Sequence, residues 1–287
     1  MRPTRLLLPL LAVSTSLGVA ACGSSTSSST SSSTAATAAS CTKSRLALVN
    51  SGTLTVGTDK PGYPPYIVDD KPSNGKGFES AVSYAIAKQL GFTPSQVKWI
   101  VVPFNSSYAP GEKKFDFDIN QISITPKRAT AVSFSSPYYT APQAVLALKG
   151  SKVANATSLA DLKDAKLGVQ VGTTSLSAVQ DVIKPSQQPA VFNDSNDTVS
   201  ALKNKSVDAI VVDLPTAIYL RDAELSGATV VGQFAVPGGD RWGVVLKKGS
   251  ALTACVDQAL SKLRSSGELD SITKQWMSSS ANAPELQ

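Results

Sequence analysis

A half-hidden repeat limits this chain to few folds. Residues 53–56 form a short β-rich run that opens into Gly57-Thr58-Asp59, and residues 167–171 form another that opens into Gly172-Thr173-Thr174. Each reads as a strand leading into a glycine-containing loop. Further along each half, Lys114-Phe115-Asp116-Phe117-Asp118-Ile119 precedes Asn120-Gln121, and Lys205-Ser206-Val207-Asp208-Ala209-Ile210 precedes Val211-Val212-Asp213. Both stretches have a lysine ahead of an aspartate and then an apolar-rich strand. Five residues past that aspartate stands Gln121 or Asp213. The same blocks in the same order predict two similar α/β lobes. Helical patterns separate the strands. Phe78, Val82, Ala85, Ile86 and Leu90 share one face ahead of Gly91, and Leu252, Val256, Ala259, Leu260 and Leu263 form a stripe ending near Gly267. Thr157 begins a short capped helix through Ser158-Leu159-Ala160-Asp161-Leu162, and residues 199–202 form another. Strands alternating with helices predict mainly parallel sheets covered on both faces. Ligands of such sheets bind beyond the carboxyl ends of the strands, where Asp59, Gln121, Thr173 and Asp213 fall.

Composition narrows the chemistry. The 287 residues include no histidine, which excludes histidine-based triads, histidine general bases and histidine-ligated metals. The three cysteines are far apart and form no C-x-x-C pair, so no metal centre and no cofactor is expected. Residues 1–21 read as a secretory signal peptide, with Arg2 and Arg5 ahead of an apolar stretch and Val19-Ala20-Ala21 as the cleavage region. Without those arginines, 25 basic face 21 acidic side chains, a charge of +4 with no run suited to nucleic acid. Val19-Ala20-Ala21-Cys22 resembles a bacterial lipobox, so Cys22 is expected to carry the lipid anchor that holds the protein at the extracellular face of the cell membrane. Residues 23–40 contain only Gly, Ser, Thr and Ala, so residues 22–42 are expected to form the anchor and a flexible tether. Two cysteines remain in the body, Cys41 and Cys255; in an oxidising compartment they are expected to pair, the alternative being two free buried thiols.

Several residues in the body suit ligand binding. In Ser123-Ile124-Thr125-Pro126-Lys127-Arg128, Thr125 is a helix N-cap and Pro126 the first helical residue. Lys127 and Arg128 then oppose the helix dipole unless an anion is bound, and an arginine fork beside free backbone N–H groups suits a carboxylate. On spacing alone, a surface arginine that is merely tolerated explains the string equally well. Asp213 ends the buried strand Ala209-Ile210-Val211-Val212, where it can receive an ammonium group, cap the helix that follows, or do both. Tyr63-Pro64-Pro65-Tyr66 is a rigid aromatic turn, suited to a ligand or to turn packing. Thr173 and Thr174 can be simple caps.

The ordered strings "TLTVGTDKPGYPPY", "GKGFESAVSYAIAKQLG", "KKFDFDINQISITPKRATAVSFSSPYY", "LADLKDAKLGVQVGTTS", "VDAIVVDLPTA" and "GELDSITKQW" resemble the extracellular solute-binding proteins of family 3. These serve importers of polar amino acids driven by ATP hydrolysis (ABC importers), and the lipobox and tether match an actinobacterial type. The resemblance spans about residues 52 to 277. It implies an α/β, two-lobed periplasmic-binding-protein-like fold of type II, with two mixed, mainly parallel sheets joined by a two-strand hinge. Lobe one would comprise 43–141 and 241–287, and lobe two 142–240, which places Cys41 and Cys255 in the same lobe. By motif, Arg128 and Ser123 would hold a ligand α-carboxylate together with Thr173, and Asp213 the α-ammonium. Tyr63 would stack on the ligand, Asp59 would reach its side chain, and Phe104 would line the pocket. Gln121 departs from the family's small residue there, so it must bind ligand or shrink the pocket. "FNSSYAPGEKKFD" departs too. The implied protein is a monomer and not an enzyme; it captures an amino acid and hands it to an ABC permease. Alternatives are a receptor for a signalling partner and a dehydratase of cyclohexadienyl type on the same fold.

Overall fold

The structure is a computed structural model that describes residues 41–278 and 283–287. The expected signal peptide, Cys22 and the tether ahead of Cys41 lie outside the described residues. Among the described residues, no helix is long and apolar enough to cross a membrane.

The described residues form one compact unit built on two five-stranded sheets. The first sheet contains β1 (Leu54–Thr58), β2 (Val97–Val101), β3 (Phe117–Asp118), β4 (Val132–Phe134) and β12 (Val245–Lys247), in the order β2-β1-β3-β12-β4. The second contains β6 (Gln143–Leu148), β7 (Leu167–Gln170), β8 (Ala190–Phe192), β9 (Ala209–Asp213) and β10 (Ala228–Phe234), in the order β10-β6-β9-β7-β8. β1 is parallel to β2 and β3, and β7 is parallel to β8 and β9. β12 runs against β3 and β4, and β6 against β9 and β10. Read from opposite ends, the two sheets therefore have one plan, with a single opposing strand in the same place. Both opposing strands directly follow a separate antiparallel pair, β5 (Tyr139–Ala141) with β11 (Asp240–Trp242). These two strands carry the chain out of the first sheet and back again.

Among the described residues eight α-helices fill the connections: α1 (Phe78–Gln89), α2 (Phe104–Ser107), α3 (Pro126–Ala131), α4 (Thr174–Ala178), α5 (Ser195–Lys203), α6 (Leu214–Tyr219), α7 (Leu252–Ser265) and α8 (Glu268–Met277). Their limits follow from local chemistry. Asp194 caps α5 through Asp197 N–H, and Gly91 and Gly267 take the left-handed conformation where α1 and α7 end. The second sheet alternates apolar side chains between two cores. Val145, Ala147, Ala209 and Val211 face one core, and Ala144, Leu146 and Ile210 face the other. Burial on both faces is why residues 209–212 are apolar throughout.

Cys41 and Cys255 form a disulfide with Cα atoms 5.4 Å apart, tying the start of the described chain to α7. Closing a loop of this length contributes about 2–5 kcal/mol.

The chain's end departs from the expected division. Leu286 is buried with the second sheet's core, not the first's. Gln233 N–H donates to Pro284 O at 2.7 Å, and Leu286 N–H to Gln233 O at 2.8 Å. Residues 283–287 thereby cover the open edge of β10, whose backbone groups would otherwise lack partners. Gly232 leaves the space for Leu286, since a Cβ there would lie 2.6 Å from its Cγ.

Candidate functional site

A cavity of about 520 Å³ lies between the carboxyl ends of β1 and β3 on one side and of β7 and β9 on the other. Its size is within the range of small-molecule sites. Asp59, Tyr63, Phe104, Gln121, Ser123, Thr173 and Asp213 all line it. Of the residues expected to bind ligand, Arg128 alone is not in that wall.

Arg128 is placed by its short helix. Thr125 Oγ1 accepts from Arg128 N–H at 3.1 Å, and Pro126 opens α3, as the string predicts. The guanidinium turns back, donating to Ser123 O at 2.8 Å and across the cleft to Gly172 O at 2.9 Å. It also stacks on Tyr108, 4.4 Å from the ring centre, with Phe104 at 5.5 Å. Arg128 is 7% exposed, and among the described residues no carboxylate pairs with it. Burial pulls its protonation equilibrium below the ordinary arginine value. Tyr108 Oη lies 3.1 Å from Gly172 O across the cleft, its one hydrogen shared between that carbonyl and Asn105 Oδ1.

Asp213 makes no capping hydrogen bond to α6. The cap alternative is therefore not realised, and the carboxylate faces the cleft. Its Oδ1 accepts from Gln143 Nε2 at 2.6 Å. The same nitrogen donates to Asp240 Oδ2 at 2.7 Å, and Gln143 Oε1 accepts from Ser175 Oγ at 2.6 Å. Asp240 Oδ2 also accepts from Thr174 Oγ1 at 2.7 Å. A hydroxyl has one hydrogen to give. Thr174 therefore receives from Ser123 Oγ, 3.1 Å away. Burial, then the charge of Asp240, hold the Asp213 carboxyl well above the usual carboxylate range.

Gln121 does not reach into the cavity as a free amide. Its side-chain and backbone nitrogens both donate to Glu79, the latter at 2.7 Å, and Tyr138 Oη donates to the same carboxyl. Gln121 takes a left-handed φ of 48°, which is where a small residue sits more easily. Glu79 is fully buried, and burial raises it to about 7 although these donors pull it down. Thr173 caps α4, accepting from Leu176 N–H at 3.2 Å and donating to Gln170 O at 2.8 Å. Tyr63 Oη donates to Asn196 Oδ1 at 2.6 Å across the cleft, and its ring lies 6.0 Å from that of Tyr219. Asp59 accepts from Phe104 N–H at 3.1 Å and from Lys60 N–H at 2.7 Å, so it braces the loop that carries Phe104.

Sequence reading missed Tyr108, Gln143, Thr174 as a network member, and Asp240. Tyr108 lies within the stretch that departs from the family pattern. Gln143 is the one polar residue opening the buried run Gln143–Leu148, a signal that was available. Asp240 carries no local signal, because only the pairing of β11 with β5 brings it beside Gln143. Among the described residues, no group of three or more metal-ligating side chains is placed to hold a metal ion.

The family model described as bacterial extracellular solute-binding proteins, family 3, matches residues 54–279. The arginine-binding extracellular protein ArtP of Bacillus subtilis (strain 168) is 26% identical over 94% of this chain and 96% of its own length. A solved structure of an ancestral arginine-binding protein bound to glutamine is 33% identical, with a TM-score of 0.67 over 79% of this chain and 98% of that one. An ancestral amino acid-binding protein described as a precursor of cyclohexadienyl dehydratase is 31% identical, with a TM-score of 0.65 over 78% of this chain and 95% of that one.

Proposed function

The chain belongs to the bacterial extracellular solute-binding proteins of family 3, and from that membership we propose that it captures a free α-amino acid in the cleft and delivers it to an ABC importer. One observation carries this reading. A buried guanidinium, Arg128, and a half-buried carboxyl, Asp213, stand on opposite sides of the cleft, and neither forms an ion pair among the described residues. Buried charges are normally paired. An amino-acid zwitterion brings both missing partners in one molecule. Its carboxylate meets Arg128 in competition with the carbonyl of Gly172, and its ammonium meets Asp213. Because Ser123 and Arg128 belong to the first lobe and Asp213 to the second, such a ligand bridges the lobes and favours the closed state that a permease reads. We place the lobes at 43–141 with 241–278, and at 142–240 with the tail 283–287. Cys22 anchors the monomer by its lipid to the outer face of the membrane.

The test is thermal shift of residues 41–287, a span that keeps the disulfide, after unfolding and refolding to strip carried-over ligand. All twenty amino acids are screened. At 100 times the dissociation constant, a ligand stabilises by about 2.7 kcal/mol. One or a few α-amino acids should raise the melting temperature. Arg128→Ala should abolish the shift, and Asp213→Asn should weaken α-amino ligands while sparing their des-amino analogues. No shift with any amino acid would overturn the reading, and turnover of prephenate or arogenate would be assayed next.

A further inference from the structure

We propose that Asp240 is a positioning residue for the cleft: from β11 it stands as a buried carboxylate behind the half-buried Asp213, so that an ammonium group arriving at Asp213 displaces a proton. This rests on the reading of Asp213 as the ammonium acceptor. Gln143 is fully buried, and its single NH₂ group is divided between Asp213 and Asp240 at 2.6 and 2.7 Å. Each carboxylate thus receives only one hydrogen bond from the amide. Asp240 is 2% exposed; Oδ2 has one further donor, Thr174, and Oδ1 is buried with no hydrogen-bond partner. Neither carboxylate has a salt-bridge partner among the described residues. Two carboxylates sharing one site without a cation do not both ionise readily.

The groups around Asp213 reinforce this. Asp240 faces it from β11, Glu79 from α1, Tyr66 from the turn before α1, Tyr139 from β5 and Arg128 from α3. Arg128 alone is positive, and two of its five N–H donors are engaged by the carbonyls of Ser123 and Gly172. Burial and the Asp240 charge raise Asp213 well above the usual carboxylate range, the direction that favours a held proton. When an ammonium binds, the O–H bond of Asp213 breaks, the electron pair stays on the carboxylate, and the proton leaves to solvent. The ammonium keeps its own protons. Asp240 makes none of these contacts itself. It acts through the shared amide, and through Thr174 and Ser123 it is joined to the carboxylate end of the same site.

The test uses the full chain and two readouts. Infrared titration of the ligand-free protein follows the carboxylic-acid C=O band that Asp213→Asn removes. Asp240→Asn should move the midpoint of that band to lower pH; should this variant not fold, Asp240→Ser removes the same charge. An unmoved midpoint would overturn the proposal. Calorimetry in buffers of different ionisation enthalpy, with L-arginine and L-glutamine as probes, then counts protons. Wild type should release about one proton per bound amino acid at neutral pH, and Asp240→Asn markedly less. Affinity of the wild type should rise with pH, and that slope should flatten in the variant. Binding without proton release would overturn the proposal. If no amino acid binds while the infrared shift stands, the amino-acid reading falls and the coupling of the two carboxylates is supported.

Discussion

Asp118 and Glu79 show how the surroundings of one residue set its proton. Both are fully buried in the half of the molecule built on the first sheet. Glu79 has donors from Tyr138 and Gln121 and stands at about 7. Asp118 has no well-formed hydrogen bond, the nearby Ser107 hydroxyl lowers it only in part, and burial, with the charges of Glu79 and Asp59 adding, raises it from 3.8 to about 8. The folded state therefore holds a proton at Asp118 that the unfolded chain gives up near its ordinary value. The stability tied to that proton is fully present below about pH 4 and is lost as pH rises toward about 8. Asp118→Asn removes the titration. Its melting temperature relative to wild type should climb steadily between those two pH values, as followed by circular dichroism. A constant difference would contradict the assignment. Nothing in the string Phe117-Asp118-Ile119 told which face of β3 the aspartate would occupy.

At the scale of elements, the segments legible beforehand were those whose ends are set by neighbours in sequence. Thr125 acts as the N-cap its string suggested, Thr173 caps α4, and the short helix expected to begin at Thr157 is capped one residue later, by Ser158. A cap bond joins residues three apart, so the string contains both partners. Asp213 is the instructive exception. It precedes a helix beginning Leu214-Pro215, yet its side chain turns away to Gln143, a residue seventy positions earlier. Thr125 matters most for function, because α3 has only six residues and carries Arg128. Thr125→Ala should cost about 1 kcal/mol of stability. It should also weaken amino-acid binding, whereas Thr125→Ser should restore both. Chemical denaturation and ligand titration of the two variants check this.

For the molecule as a whole, connectivity decides what moves with what. β5 and β11 join the two sheets, and the tail adds a further crossing, from α8 on the first core to the edge of β10. A chain ended at Ser278 should lose the burial of Leu286 and expose the β10 edge. Full burial of a leucine contributes about 1.5–3 kcal/mol. The truncated protein should therefore melt earlier than the intact one, and Gly232→Ala, which fills the space of Leu286, should reproduce much of that loss. An unchanged melting temperature in both would contradict the docking of the tail.

The sequence by itself determined the repeated α/β plan, which rests on local periodicity and capping chemistry, and a count of two remaining cysteines anticipated the pairing of Cys41 with Cys255. The residues proposed to hold an amino-acid zwitterion came from resemblance to the family, since spacing alone left their roles open. Only the tertiary structure decided that Gln121 serves Glu79, that Arg128 reaches Gly172, that the last five residues pair with the second sheet, and that Asp240 stands behind Asp213. Each of these joins residues tens or more positions apart. Such contacts depend on how the sheets are ordered and where the connecting strands cross, and no window along the chain contains both partners.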